Sequence, residues 1–87
     1  MSQTLVQVMS RKACCLCEDA EAAVLQAEAK GLCRLEVVDV DEKLELAARY
    51  GADVPVLIVN GVARMRHRVD QDELEEMLIN LTQESVK

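Results

Sequence analysis

The apolar positions change period along the chain, and each change marks an element. Leu5, Val6, Val8 and Met9, interrupted only by Gln7, form a short run that predicts a strand buried on both faces. After Ser10-Arg11-Lys12 the pattern turns helical. Leu16, Ala20, Ala23, Val24 and Ala27 recur at three- and four-residue spacing from a start near Cys14 or Cys15, and Gly31 is suited to end the helix. Leu35, Val37, Val38 and Val40 predict a second buried strand. Asp41 then stands where it would cap a short helix through Leu44, Ala47 and Ala48, with Gly51 as its stop. Val54 to Val59 predicts a third strand with Pro55 at its mouth. Asn60-Gly61 predicts a tight hairpin into an antiparallel fourth strand, Val62 to Arg66. The last helix is expected to begin at Asp70 or Asp72. Asp70 and Glu73 have the spacing of a capping box, and Leu74, Met77, Leu78 and Leu81 form the buried stripe.

The resulting order, β-α-β-α-β-β-α, predicts an α/β fold: a four-stranded mixed sheet with helices on both faces. A helical connection makes the first two strands parallel with a right-handed crossover. The second helix gives another crossover, and the hairpin adds an antiparallel edge. At 87 residues the chain has room for one core, so residues 1–87 are expected to form a single domain, with residues 82–87 fraying as a tail.

Charge and composition narrow the partners. Sixteen acidic against ten basic residues give a net charge of −6, which argues against nucleic acid and anionic membranes. Tyr50 is the only aromatic residue, so stacking platforms for bases are excluded. The longest apolar run, Val54 to Val59, is far short of the ~18 residues of a membrane span. Met1 to Arg11 lacks a basic start followed by an apolar stretch, so export is not expected. Four cysteines in a chain without an export signal fit a reducing cytoplasm. There, paired cysteines are more often catalytic or metal-binding than structural.

Cys14, Cys15 and Cys17 cluster where the first strand hands over to the first helix. Residues three apart share a helix face, so Cys14 and Cys17 can close a disulfide with little backbone movement. At a helix N-terminus Cys14 meets unsatisfied amide donors and the positive end of the dipole, which favour thiolate over thiol. Arg11 and Lys12 reinforce that effect, and Glu18 and Asp19 oppose it. Cys33 lies past the far end of the helix, roughly 20 Å from Cys17 at 1.5 Å per residue. It therefore cannot pair with Cys14 or Cys17, and is expected to be a small buried hydrophobe. Adjacent thiols also leave open a metal or iron–sulfur site on Cys14, Cys15 and Cys17, with His67 not excluded in space. Cys15 itself is expected to be an exposed thiol.

Three features together resemble glutaredoxin: Cys14-x-x-Cys17 after the first strand, Val54-Pro55 opening the third, and the order of elements. The closer resemblance is to a glutaredoxin-like group of unknown function with C-x-L-C and V-P-V-L motifs, here Cys14-Cys15-Leu16-Cys17 and Val54-Pro55-Val56-Leu57. The resemblance implies a thioredoxin-like fold and a cytoplasmic thiol-disulfide oxidoreductase. In that reading Cys14 is the nucleophile and Cys17 the resolving thiol. Pro55 would be a cis-proline against the dithiol, and Val54 would offer its backbone to an extended substrate. Leu16 would join them at the substrate-binding surface, and Arg11 stands where glutaredoxins often carry a lysine for a glutathione carboxylate. The implied substrates are a disulfide-containing protein or a glutathione mixed disulfide. No metal or cofactor is implied beyond glutathione as a co-substrate, and the chain is expected to be a monomer.

The sequence departs from glutaredoxins at definite places. Cys15-Leu16 stands where Pro-Tyr or Pro-Phe is usual, and Asp53 precedes Val54-Pro55 where threonine is usual. The Gly-Gly pair before the last helix is replaced by Arg64-Met65-Arg66-His67-Arg68. At two-residue spacing Arg64, Arg66 and Arg68 are expected on one face of an edge strand. There they would either protect the edge from pairing or dock an acidic partner. A non-catalytic partner-binding module using these arginines is the third reading of the chain.

Overall fold

The computed structural model describes residues 4–85, with side chains through Leu81. Its elements run β1 (Leu5–Ser10), α1 (Cys15–Ala29), β2 (Arg34–Asp39), a 3₁₀ turn (Val40–Glu42), α2 (Leu44–Tyr50), β3 (Val56–Val59), β4 (Val62–Arg66) and α3 (Gln71–Ser85). The strands form one mixed sheet in the order β2-β1-β3-β4. β1 and β2 are parallel, with Val8 beside Val37. The connection through α2 crosses over β1 but returns β3 antiparallel to it, so β1 and β2 are the only parallel pair among the described residues. No helix of the described residues is long and apolar enough to cross a membrane.

Helices cover both faces. On one, Val6, Val8, Leu57 and Val59 pack beneath Ala20, Ala23, Val24 and Ala27 of α1 and Leu74 and Leu78 of α3. On the other, Met9, Val56, Ile58 and Val40 meet Leu46 and Tyr50 of α2. The expected stripe of α1 needs one correction. Leu16 is 41% exposed, and Cys17 takes the buried place in its turn. The second strand is corrected as well. β2 is an outer strand, so Val37 is 48% exposed, and of its apolar residues Leu35 and Val38 are only partly covered. Its outward Leu35 N–H is capped by the Glu28 carboxylate of α1 at 2.8 Å, which keeps part of that edge from pairing with another chain.

The ends of the elements follow local chemistry. α1 closes in a Schellman motif, with Gly31 at φ +78° and the amides of Gly31 and Leu32 bonded to the carbonyls of Glu28 and Ala27. Asn60 (φ +50°) and Gly61 (φ +85°) join β3 to β4 with two left-handed residues, as a type I′ hairpin requires. The Asp70 carboxylate accepts from the amides of Asp72 and Glu73, capping α3 at its first residue. Asp41 does not cap α2. Asp39 caps the 3₁₀ turn instead, α2 starts after Lys43 without a side-chain cap, and the Asp41 carboxylate is taken by Arg11. At the other end of the chain α3 is helical through Ser85, beyond the point where the sequence suggests fraying, and residues 86–87 lie outside the described part.

Candidate functional site

The site lies at the sheet end where β1 stops. Ser10 ends the strand, and the chain turns through Ala13, which is held at φ +57°, into Cys14. Cys14 is the N-cap of α1, with extended backbone at φ −109° and ψ 106°. This is the position usually held by a serine, threonine or aspartate oxygen that accepts a first-turn amide. Here the acceptor is sulfur: the Cys17 N–H donates to the Cys14 Sγ at 3.2 Å. The Cys14 carbonyl accepts from the Glu18 N–H, closing the first helical turn. Cys14 is half-buried, Cys15 exposed and Cys17 fully buried, and all are free thiols. Burial pushes the Cys17 thiol up from its ordinary value, and the neighbouring Cys14 adds to this. The Arg11 amide and the Ser10 hydroxyl, which face the Cys17 sulfur, pull it back.

The register of the sheet brings the other candidates to the same end. Met9 of β1 pairs with Val56, and Val56 pairs with Arg66, so Val54-Pro55 and His67-Arg68 all flank the exit of β1. The Val54–Pro55 peptide bond is cis, and the Pro55 carbonyl accepts from the His67 N–H at 2.9 Å. Val54 lies outside the strand that the sequence assigns it to. Among the described residues no backbone group pairs with its N–H or C=O. Leu16, exposed on the first turn of α1, faces His67, Arg68 and Val69 across a hollow of about 250 Å³ that Asp19 also lines.

Arg11 lines a hollow beside Cys14 and is also tied into the fold. Its guanidinium grips Asp41 and the Gly51 carbonyl, tying the loop after β1 to α2. The three arginines do not form a row. The ladder between β3 and β4 skips Arg64, because Leu57 pairs with Met65 and Ile58 with Ala63, and a bulge reverses the alternation. Arg66 stands 3.6 Å from Asp53, while Arg68 follows the left-handed His67 (φ +63°) and turns into the hollow beside Leu16.

Cys15 and Cys17 differ in exposure because they lie two residues apart on a helix, so the three clustered thiols do not converge as metal ligands would. Among the described residues no group of three or more His, Cys, Asp and Glu side chains is arranged to hold a metal. Cys33 is buried at the other end of α1, its thiol directed at the Val24 carbonyl at 3.9 Å. Two residues beside the dithiol do not stand out from the sequence. Ser10 is buried, and Glu21 bonds its hydroxyl. The one signal for Glu21 is its place four residues after Cys17, an acid on the apolar side of the helix.

Comparison with known proteins agrees with this architecture. The family model of the glutaredoxin-like domain (DUF836) matches residues 5–79. Among solved structures, a mutant thioredoxin from Halobacterium salinarum NRC-1 superimposes with a TM-score of 0.68 at 23% identity. The match covers 88% of this chain and 73% of that one, and it establishes the likeness of the fold. No curated protein matches the chain.

Proposed function

The chain belongs to the glutaredoxin-like domain family (DUF836), and on that premise we propose that it is a thiol-disulfide oxidoreductase acting through Cys14 and Cys17. The observation that carries this reading is the Cys14 sulfur at the N-cap of α1, accepting the Cys17 amide at 3.2 Å. The sulfur stands at the N-terminus of α1 beside the buried Cys17, and, half-buried, it can still be reached by a substrate.

In the cycle, the Cys14 thiolate attacks one sulfur of a substrate disulfide. A bond forms from the Cys14 Sγ to that sulfur, the substrate S–S bond breaks, and the other substrate sulfur leaves as a thiolate that takes up a proton. Cys17 then attacks the Cys14 sulfur, forming the Cys14–Cys17 disulfide and releasing the second substrate thiol. Two electrons pass from the dithiol to the substrate. The unpaired Val54 backbone beside cis-Pro55 supports docking of an extended substrate segment by strand-like hydrogen bonds. Leu16 supplies an apolar contact, and Arg68 in the same hollow suits a carboxylate. The substrates are then a protein disulfide or a glutathione mixed disulfide, held without the usual Gly-Gly pair. The same reading assigns the protein to the cytoplasm, where a dithiol of this kind stays reduced and a thiol such as glutathione can renew it.

Substitution of the two cysteines tests the reading. Cys14→Ser is expected to abolish disulfide reduction, and Cys17→Ser to accumulate mixed disulfides on Cys14. Full dithiol turnover by Cys14→Ser would overturn it.

A further inference from the structure

Among the described residues Ser10 is the only buried polar or charged one, 6% exposed. Its hydroxyl donates to the Glu21 Oε2 at 2.8 Å. Glu21 lies four residues after Cys17 on α1, hence on the same helix face, and is half-buried. Ser10 ends β1, and its hydroxyl acts on the fully buried Cys17 thiol as well as on the carboxylate. Thiol, hydroxyl and carboxylate therefore stand in sequence. Nothing in the packing of the sheet calls for this pair: an apolar residue at position 10 would fill the same place without a buried hydroxyl to satisfy.

The resolving thiol has a use for it. Burial keeps Cys17 protonated, and a protonated thiol is a poor nucleophile. We propose that Ser10 and Glu21 form a proton relay that takes the Cys17 proton as Cys17 attacks the mixed disulfide, an assignment that rests on the dithiol reading above. The Cys17 S–H gives its proton to the Ser10 Oγ, and the Ser10 hydroxyl proton passes to the Glu21 carboxylate. The Cys17 sulfur bonds to the Cys14 sulfur, the bond from Cys14 to the substrate sulfur breaks, and the substrate leaves as a thiolate. Glu21 then returns its proton to water or to that thiolate. After the transfer the Ser10 hydroxyl points its hydrogen at the Cys17 sulfur, so the new anion is stabilised at the moment it forms.

The surroundings permit the second half of the relay. Glu21 borders an open hollow of about 270 Å³ that reaches Cys14, so the carboxylate can exchange protons with solvent while Cys17 cannot. The charged groups facing it are Lys12 from the loop, Glu18 from its own helix and Asp39 from β2. Arg11 also lines the hollow, with its guanidinium held by Asp41. Glu21 acts through Ser10 and is a positioning residue for proton transfer, while Ser10 faces the reacting sulfur.

A coloured disulfide separates the two chemical steps. Dithiobis(nitrobenzoate) releases one visible thiolate when Cys14 attacks and a second when Cys17 resolves, so stopped-flow absorbance shows two phases. A Cys15→Ser background removes the exposed thiol. In that background Glu21→Gln is expected to slow the second phase at pH 7 by about 10²-fold, the lower end of general-base effects, and to leave the first phase unchanged. The deficit should shrink as the pH rises, because hydroxide takes the thiol proton directly. Ser10→Ala should slow the same phase. Unchanged second-phase rates and pH profiles in both variants would overturn the relay. A parent protein that releases only one thiolate would overturn the dithiol reading itself, and the relay with it.

Discussion

The Arg11 guanidinium holds the Asp41 carboxylate by two hydrogen bonds, Nε to Oδ2 at 3.1 Å and Nη2 to Oδ1 at 2.9 Å, and with Nη1 it holds the Gly51 carbonyl at 3.1 Å. One side chain thus fastens the loop leading to Cys14 to both ends of the α2 region. The hydrogen bond from Arg11, with its charge, keeps the Asp41 carboxyl below its ordinary range. The sign follows. Stabilisation is present above the ordinary carboxylate pKa and is lost as pH falls through the lowered value in the folded protein. Asp41→Asn is therefore expected to lower the melting temperature at pH 7, with the difference closing in strong acid and in 1 M salt. Arg11→Lys should lower it as well, because a lysine cannot reproduce the two-pronged grip. Thermal melts at two pH values and two salt concentrations check this.

Cys33 should show the opposite dependence on pH. Burial pushes its thiol up to about 11, with a smaller push from Glu28. The unfolded chain ionises this thiol near its ordinary value of 9.0. Stability is then full below that pH and falls as pH rises toward the folded value, by roughly 3 kcal/mol at two pH units of separation. Cys33→Ala should flatten this part of the profile. Urea denaturation of both proteins between pH 8 and 11 measures it.

The Asn60-Gly61 turn should be sensitive at both positions. Asn60 Oδ1 accepts the Leu5 N–H at 3.1 Å and its own amide donates to the Leu5 carbonyl, so the hairpin tip also anchors the start of β1. Gly61→Ala forces a side chain to φ +85° in open space, with a cost of about 1–2 kcal/mol. Asn60→Ala loses the side-chain bond as well and is expected to cost about as much. Denaturant midpoints check both, and full stability in either variant would show that the turn relaxes.

Most of the fold was legible because its signals are local. Gly31, Asn60-Gly61 and Asp70 each act through their own backbone angles or a cap within three residues, and each appears where the sequence puts it. The misreadings come from tertiary placement. Val37 has the composition of a buried residue, yet β2 is an outer strand, and strand order depends on pairings that no single segment encodes. Asp41 has the right spacing for a cap, but Arg11, thirty residues earlier, competes for the carboxylate. Arg64, Arg66 and Arg68 alternate in sequence, and one bulge cancels the alternation in space. At the site, Cys14-x-x-Cys17 and Val54-Pro55 were legible as motifs. Ser10 and Glu21 were not, because a serine at a strand end and a glutamate in a helix mean nothing until the sheet brings them within 2.8 Å.

The central claim is that Cys14 and Cys17 form a reversible redox pair. Titration of the purified protein in glutathione buffers, with alkylated thiols counted and mapped by mass spectrometry, tests it most directly. A two-electron loss confined to Cys14 and Cys17 is expected at ~−180 to −270 mV, with Cys33 reduced throughout. Four thiols that stay reduced across that range would contradict it.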